Sequence, residues 1–512
     1  MRSTSLQKVF DNKLDLYFLL FFVLQPFIDI YKAFWGDTLQ LGPFAVEELL
    51  NLLLVLFLLI PTVLRIAREK QGRSTVKYIV YFALIGLYLI LHSINIHQFD
   101  QRLFPGSSVN FITETYYIFR VYIIPLLLLC IIWQNGIEDK TFYLAAKIVV
   151  LTLSGIIVAT NLLGISLVAY SVDNQWIKGG FFSWFTLDPT QSQSQLQLYT
   201  SKGWFYSANQ ISALLFSLSP IIVLETIRKT TLPHVLLLCL QVISMVMLGT
   251  RTASIGCILV IGAMLVIAVF LHLVKLEKVR LLRVVPVLLL AAVLGGTLNY
   301  FTPVQQGKRA ESQKVPEDRP NADISVDEIE NNGGAPGIYS FADYLDKYAY
   351  NYYINPWFLD IYPVSADQEF WKAVVSRDRN LNVNNRVFKQ EMLERITQRN
   401  NRWQDRLVGI GYTTNVPYTE RDYVYQYYIF GVLGSLLLMG PFIAALLYAA
   451  YKILRNLKKK LTLENCAVGM ALSCMLTMAY LSGHVFGILI NMLFMSLYAA
   501  KLLLNVRKEE TR

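Results

Sequence analysis

The alternation of apolar and polar positions divides the chain into runs long enough to cross a bilayer, interrupted by one long polar segment from about Phe301 to Tyr423. A membrane-crossing helix needs roughly 20 predominantly apolar residues. By that measure about twelve spans are expected, near 14–34, 44–64, 77–94, 115–134, 142–165, 206–227, 232–248, 252–272, 284–301, 424–451, 465–482 and 485–504. The pattern predicts an all-α polytopic membrane protein in three parts: a nine-helix membrane region over 1–301, a large loop over 302–423 and a three-helix membrane region over 424–512. No internal repeat is visible.

Composition shifts twice within the polar segment. Residues 305–335 are acidic and rich in Pro, Gly and Asn, which predicts a flexible lead-in. Aromatics follow from Tyr339 to Tyr362, among them Tyr344, Tyr348, Tyr352, Trp357 and Phe358. From Asp367 to Arg406 the period becomes helical, with Phe370, Trp371, Val374, Val375, Val387, Phe388, Met392, Leu393 and Ile396 spaced for one apolar face.

Composition agrees with the hydropathy pattern: of 512 residues 54% are hydrophobic and 16% charged, whereas soluble chains carry about a quarter charged. The net charge of +10 does not indicate nucleic acid, because the lysines and arginines fall in short runs between apolar segments. Arg65/Arg68/Lys70/Arg73/Lys77, Arg228-Lys229, Lys275/Lys278/Arg280/Arg283, Lys452/Arg455/Lys458-Lys460 and the tail with Arg507 all fall on the side of the N-terminus. By the positive-inside rule both termini are cytoplasmic and the large loop is extracytoplasmic, in a plasma membrane. Arg2, Lys8 and Lys13 precede the first run without a small-residue cleavage pattern, which reads as a retained span. The five cysteines lie inside apolar runs and offer neither a disulfide framework nor a metal spacing.

On this topology the unusual polar residues gather on the outer side, where charged groups near membrane depth are costly and commonly functional. They are Arg120 in the fourth span, Gly203 to Gln210 opening the sixth with Tyr206 and Asn209, and Gly249 to Ser254 in the turn around Arg251. Glu420-Arg421-Asp422 opens the tenth span, Ser482-Gly483-His484 makes the last outer turn, and Asp29 lies near the outer end of the first span. Each has a structural alternative: arginines snorkel to lipid phosphates, and Glu47-Glu48 or Glu420 and Asp422 complement a helix dipole. Asp29 has the alternative of hydrogen-bonding a neighbouring helix. Together they supply anion-binding and acid/base groups on one face, with no P-loop, nucleophile elbow or zinc motif among them.

At these residues the chain resembles the O-antigen ligase and O-antigen polymerase superfamily, whose architecture is similar to that of type-C glycosyltransferases. Gly203 to Gln210 is similar to the family's Gly-aromatic-x-x-x-Asn opening, and Gly249 to Ser254 to its Gly-Ser/Thr-Arg turn. Glu420 to Tyr423, followed by Gly431 and Gly434, looks like the acidic start of the span after the large loop. The resemblance implies glycan transfer from an undecaprenyl-diphosphate carrier to an acceptor glycan, outside the membrane, with no cofactor, no nucleotide sugar and no metal. Ligases that build on lipid A core carry a histidine in the large loop; here the histidines are His92, His97, His234, His272 and His484. That departure favours a polymerase or a Gram-positive-type ligase. The resulting expectation gives Arg251, Arg120 and Arg421 to the diphosphate, Glu420, Asp422 or His484 to general base catalysis, and Tyr206 and Asn209 to the lining. The alternative is a flippase for lipid-linked oligosaccharides, which requires discontinuous helices and midplane polar groups.

Overall fold

Backbone groups in hydrocarbon must be bonded within their own segment, so long apolar runs fold as helices. A computed structural model describes residues 5–36, 40–41, 44–68, 72–100, 103, 111–171, 174–188, 193–306, 340–382, 386–412 and 419–508. The acidic lead-in from 307 onward, with Arg2, Lys70, Arg102 and Tyr339, lies outside the described residues. Apart from isolated bridges, extended pairing among the described residues is one two-residue antiparallel ladder, Gln40–Leu41 with Phe44–Ala45.

Among the described residues nine helices are long and apolar enough to cross a membrane, or ten if the bent pair Asp422–Leu438 and Gly440–Arg455, angled at 42°, is one span. Two of the twelve expected runs fall short. Leu232–Met247 has 16 residues, a rise of about 24 Å against a hydrocarbon thickness of about 30 Å. Leu463–Leu481 begins with Glu464 and Asn465, which dilute its apolar character.

The core of the bundle is the helix Ala208–Arg228, with 94% of its apolar window buried, beside Leu489–Arg507 at 89%; Val46–Ile66 and Leu281–Tyr300, at 22%, form the outer wall. Small polar residues let the central helix approach its neighbours and bond to them. Ser212 Oγ lies 2.6 Å from Thr250 Oγ1, and Gln241 Nε2 donates to Leu215 O at 2.9 Å. At the opposite end of the bundle, fully buried Lys501 is paired with Asp139 and Glu464, and Arg228 with Glu464 at 2.8 Å, fastening the C-terminal helix to three others.

The helix Asp422–Leu438 is broken at Gly431, where φ is 65° and ψ −173°. A break exposes carbonyls that need donors. The amides of Ile410 and Gly411 donate to Tyr428 O (2.9 Å) and Ile429 O (3.0 Å), and Tyr88 Oη donates to Phe430 O (3.0 Å). The crossing requires glycine on both strands. A Cβ on Gly409 (φ +86°) would stand 2.0 Å from Ile429 O, and one on Gly431 would stand 2.5 Å from the Leu407 carbonyl.

The described part of the large loop folds into short helices, including Gln368–Ser376, Arg386–Asn400 and Trp403–Val408. The predicted apolar face is buried: Trp371, Phe388, Met392, Leu393 and Ile396 are fully enclosed. Most of the aromatic run packs inside as well, with Tyr344, Tyr352, Phe358 and Tyr362 buried and Tyr350 and Trp357 exposed. Asp367 organises this unit, accepting from Tyr362 Oη (2.7 Å), Arg395 Nε (2.8 Å) and the Phe370 amide (3.2 Å). Burial opposes its charge, but these partners hold the carboxyl below its ordinary value of 3.8.

Two outcomes follow from these contacts. Gly409→Ala lowers stability by about 2 kcal/mol or more through strain and overlap, read as a lower thermal unfolding midpoint in detergent. Asp367 has a depressed folded pKa, so its contribution is present above 3.8 and is lost as pH falls through the lowered value. The stability gap between wild type and Asp367→Asn is therefore full at neutral pH and closes in acid.

Candidate functional site

In the last turns of the first span, Gln25, Asp29 and Lys32 are spaced four and three residues apart, on one helix face. Glu47, Glu48 and Asn51 face them from the start of the helix Val46–Arg68, and all three are buried. The two helices are joined by Gln25 Nε2 donating to Asn51 Oδ1 at 2.8 Å, and Lys32 Nζ sits 3.2 Å from Glu47 Oε1. Asp29 accepts the Tyr206 amide at 3.0 Å and the Gln210 side-chain amide at 2.5 Å. Behind Asp29, the Lys202 ammonium donates to Tyr206 O at 2.9 Å; burial lowers its pKa and Asp29 opposes the shift.

Arg120 completes the set. It lies in the π-turn Phe119–Ile123, where the chain widens ahead of Pro125, a residue with no amide hydrogen. Its guanidinium donates to Glu48 and lies 5.7 Å from the Tyr117 ring. These residues enclose a cavity of about 220 Å³, with Tyr206 on its wall and Gly487 to Ile490 closing it. Every contributing helix reaches it from the same end of the bundle.

The turn Gly249 to Ser254 is fixed to the same central helix. Thr250 caps the helix Arg251–Leu273 by accepting the Ala253 amide at 3.2 Å, while its hydroxyl meets Ser212. Gly249 has φ +70°, and a Cβ there would stand 2.7 Å from Thr200 Cγ2. Arg251 is exposed beside this turn. Tyr170 Oη donates to Gly249 O in this turn at 3.5 Å, and Arg251 and Glu420 act on that hydroxyl with opposite sign.

Asp422 is fully buried, and its carboxylate accepts the amides of His484 (3.1 Å), Val485 (2.8 Å) and Phe486 (2.8 Å). Successive amides around a carboxylate form an anion nest. It holds His484 at φ +63° and sets the segment that runs on to the cavity wall at Gly487. Asp422 thus positions the His484 turn with its own oxygens engaged.

The structure brings Arg120 and Tyr206 into one cavity, Arg251 and Glu420 into one locale, and joins Asp422 to His484. Arg421 turns away, donating to Gln390 in the large loop at 3.1 Å. Asn209 is half-buried next to Gln210, and the Gln210 side chain is the one that reaches Asp29. Asp29 hydrogen-bonds a neighbouring helix, as its structural alternative has it, whereas Glu47 and Glu48 add ion pairs with Lys32 and Arg120 to their place in a first helical turn. The signal was present in the spacing of Gln25, Asp29 and Lys32 and in the carboxylate pair opposite an arginine on a third span.

A buried latch went unread in the sequence. His92 Nε2 lies 2.7 Å from Glu114 Oε1, His92 Nδ1 lies 2.6 Å from Val408 O, and the other Glu114 oxygen accepts the Tyr412 amide. Tyr412 stacks on Tyr117 at 4.1 Å, which joins the return of the large loop to the wall carrying Arg120.

Paired charges around a cavity at one end of a bundle of membrane-length helices define a polytopic membrane protein with an enclosed polar site. The chain belongs to the O-antigen ligase like membrane protein family, whose model matches residues 11–509. A comparison with curated proteins finds no match. Family membership supports a role in polysaccharide ligation or polymerisation by glycosyl transfer.

Asp422→Ala leaves three amides, two of them buried, without their acceptor and lowers stability by about 3 kcal/mol. Asp422→Asn, which keeps one acceptor oxygen, loses less. Thermal unfolding of the purified variants in detergent separates the two.

Proposed function

We propose that the protein is a glycosyltransferase of the extracytoplasmic face of the bacterial plasma membrane, with both termini cytoplasmic. It joins or extends glycan chains carried on undecaprenyl diphosphate, in surface or capsular polysaccharide synthesis. The supporting observation is the convergence of the Arg251 turn, Glu420, the Asp422-His484 clamp and the Arg120 cavity around the first turns of the helix Ala208–Arg228.

In this reading an acceptor hydroxyl oxygen bonds to the anomeric carbon as the bond from that carbon to the phosphate oxygen breaks. The electron pair leaves with the diphosphate, and the hydroxyl proton passes to a base. Arg251 neutralises the developing diphosphate charge, its planar fork being suited to phosphate oxygens. Arg120 and Arg421 are engaged with Glu48 and Gln390, so Arg251 leads that role. Glu420, within reach of the same tyrosine as Arg251, is the first candidate for the base, and His484 in its clamped turn is the second. The segment 302–423 serves as a lid and acceptor platform.

The break at Gly431 is a feature that favours a flippase, since transporters bind at discontinuous helices. Its freed carbonyls are occupied by Ile410, Gly411 and Tyr88, which favours the enzyme.

Removing one contact to the leaving charge lowers turnover by about 100- to 1,000-fold. Arg251→Ala in purified, folded protein is expected to fall in that range when elongation of lipid-linked units is followed. A near wild-type rate would remove Arg251 from the mechanism, and donor stranded on the inner leaflet of a deletion strain would support the flippase.

A further inference from the structure

Two buried polar atoms on residues that line the cavity around Arg120 have no hydrogen-bond partner among the described residues. Glu47 is 5% exposed; its Oε1 meets Lys32, while its Oε2 is buried and accepts no hydrogen bond. Arg120 donates to Glu48 through Nη1, while its buried Nε–H has no acceptor. Both residues line the cavity. Leaving such groups unpaired costs about 1–3 kcal/mol each, more for charged groups, so each is a site that a ligand relieves. One atom requires a donor and the other an acceptor, and a hydroxyl group is both.

The charge balance narrows the ligand. Asp29, Glu47 and Glu48 face Lys32 and Arg120, with Lys202 behind Asp29. The lining has no surplus positive charge for a diphosphate. Nor is it a cation cage: among the described residues no group of His, Cys, Asp and Glu could hold a metal ion. The volume of about 220 Å³ far exceeds the roughly 10–15 Å³ that one water needs and is below the ~300–1,000 Å³ of pockets for drug-sized ligands. Tyr206, 43% exposed, adds an aromatic surface at the cavity wall.

We propose that this cavity is the seat of one uncharged, hydroxyl-rich sugar ring of the acceptor glycan, with Glu47 Oε2 accepting from a ring hydroxyl and Arg120 Nε–H donating to one. The proposal rests on the glycosyl-transfer reading, and it separates the acceptor seat from the diphosphate seat at Arg251.

The test has a binding arm and a kinetic arm. In the first, saturation-transfer NMR follows glucose, galactose and their N-acetylated 2-amino forms over purified protein in detergent, with inorganic pyrophosphate as competitor. Wild type saturates at least one sugar, Glu47→Ala abolishes the signal, Arg251→Ala retains it and pyrophosphate does not displace it. Arg120→Lys keeps a cation for Glu48 and removes the Nε donor, so it weakens the signal even if Glu47→Ala fails to fold. Absence of any sugar signal in wild type, displacement by pyrophosphate, or signals unchanged in both variants would overturn the proposal. In the second arm, with lipid-linked donor and acceptor isolated from a deletion strain, Arg120→Lys raises KM for the acceptor by roughly ten- to a hundredfold and leaves KM for the donor unchanged. A rise in the donor KM alone would assign the cavity to the donor. Sugar binding with no transfer by wild type would refute the glycosyl-transfer reading and leave the sugar site standing.

Discussion

Charges inside a bundle of apolar helices persist only when each has a partner, and this pairing constraint shapes the whole molecule. It fastens the C-terminal helix through Lys501, Asp139 and Glu464 at one end. At the other end it draws four separate spans together through Asp29, Lys32, Glu47, Glu48, Arg120 and Gln210. The same requirement applied to the backbone explains the Gly431 break, whose carbonyls take the amides of Ile410 and Gly411 from the returning loop. The loop, the broken helix and the cavity wall are therefore mechanically continuous, through Glu114, Tyr412 and Tyr117 to Arg120.

Most of the helices were legible in the sequence because a 20-residue apolar run has few alternatives. The amphipathic period from Phe370 to Ile396 was also readable, since its apolar face is the buried one. The break at Gly431 was not, because it depends on a crossing strand distant in sequence, and a glycine in an apolar run gives no hint of that partner. Segment counting was least informative at Leu232–Met247, which is helical but short.

The candidate residues stood out in the sequence more than their connections did. Arg120, Arg251, Glu420 and His484 stood out by residue type and by side, but the partner of each is set by packing. Glu47 and Glu48 illustrate the difficulty: carboxylates in a first helical turn complement the helix dipole wherever they occur, and only the approach of Lys32 and Arg120 gives them a cavity to line. Asp422 shows the converse, a residue that looks like a base by type and is bound by three amides in place. In both cases partnership determines whether a carboxylate is available for chemistry.

The division between an electrically balanced cavity and an exposed arginine turn gives the glycosyl-transfer account its specific form. The most direct test is reconstitution of the purified protein in vesicles with a lipid-diphosphate-linked glycan and its acceptor as sole substrates, followed by mass spectrometry of the lipid. The account predicts free undecaprenyl diphosphate appearing in step with each glycan transferred. Donor that crosses the bilayer with its glycan still attached, and no free lipid diphosphate, would contradict it.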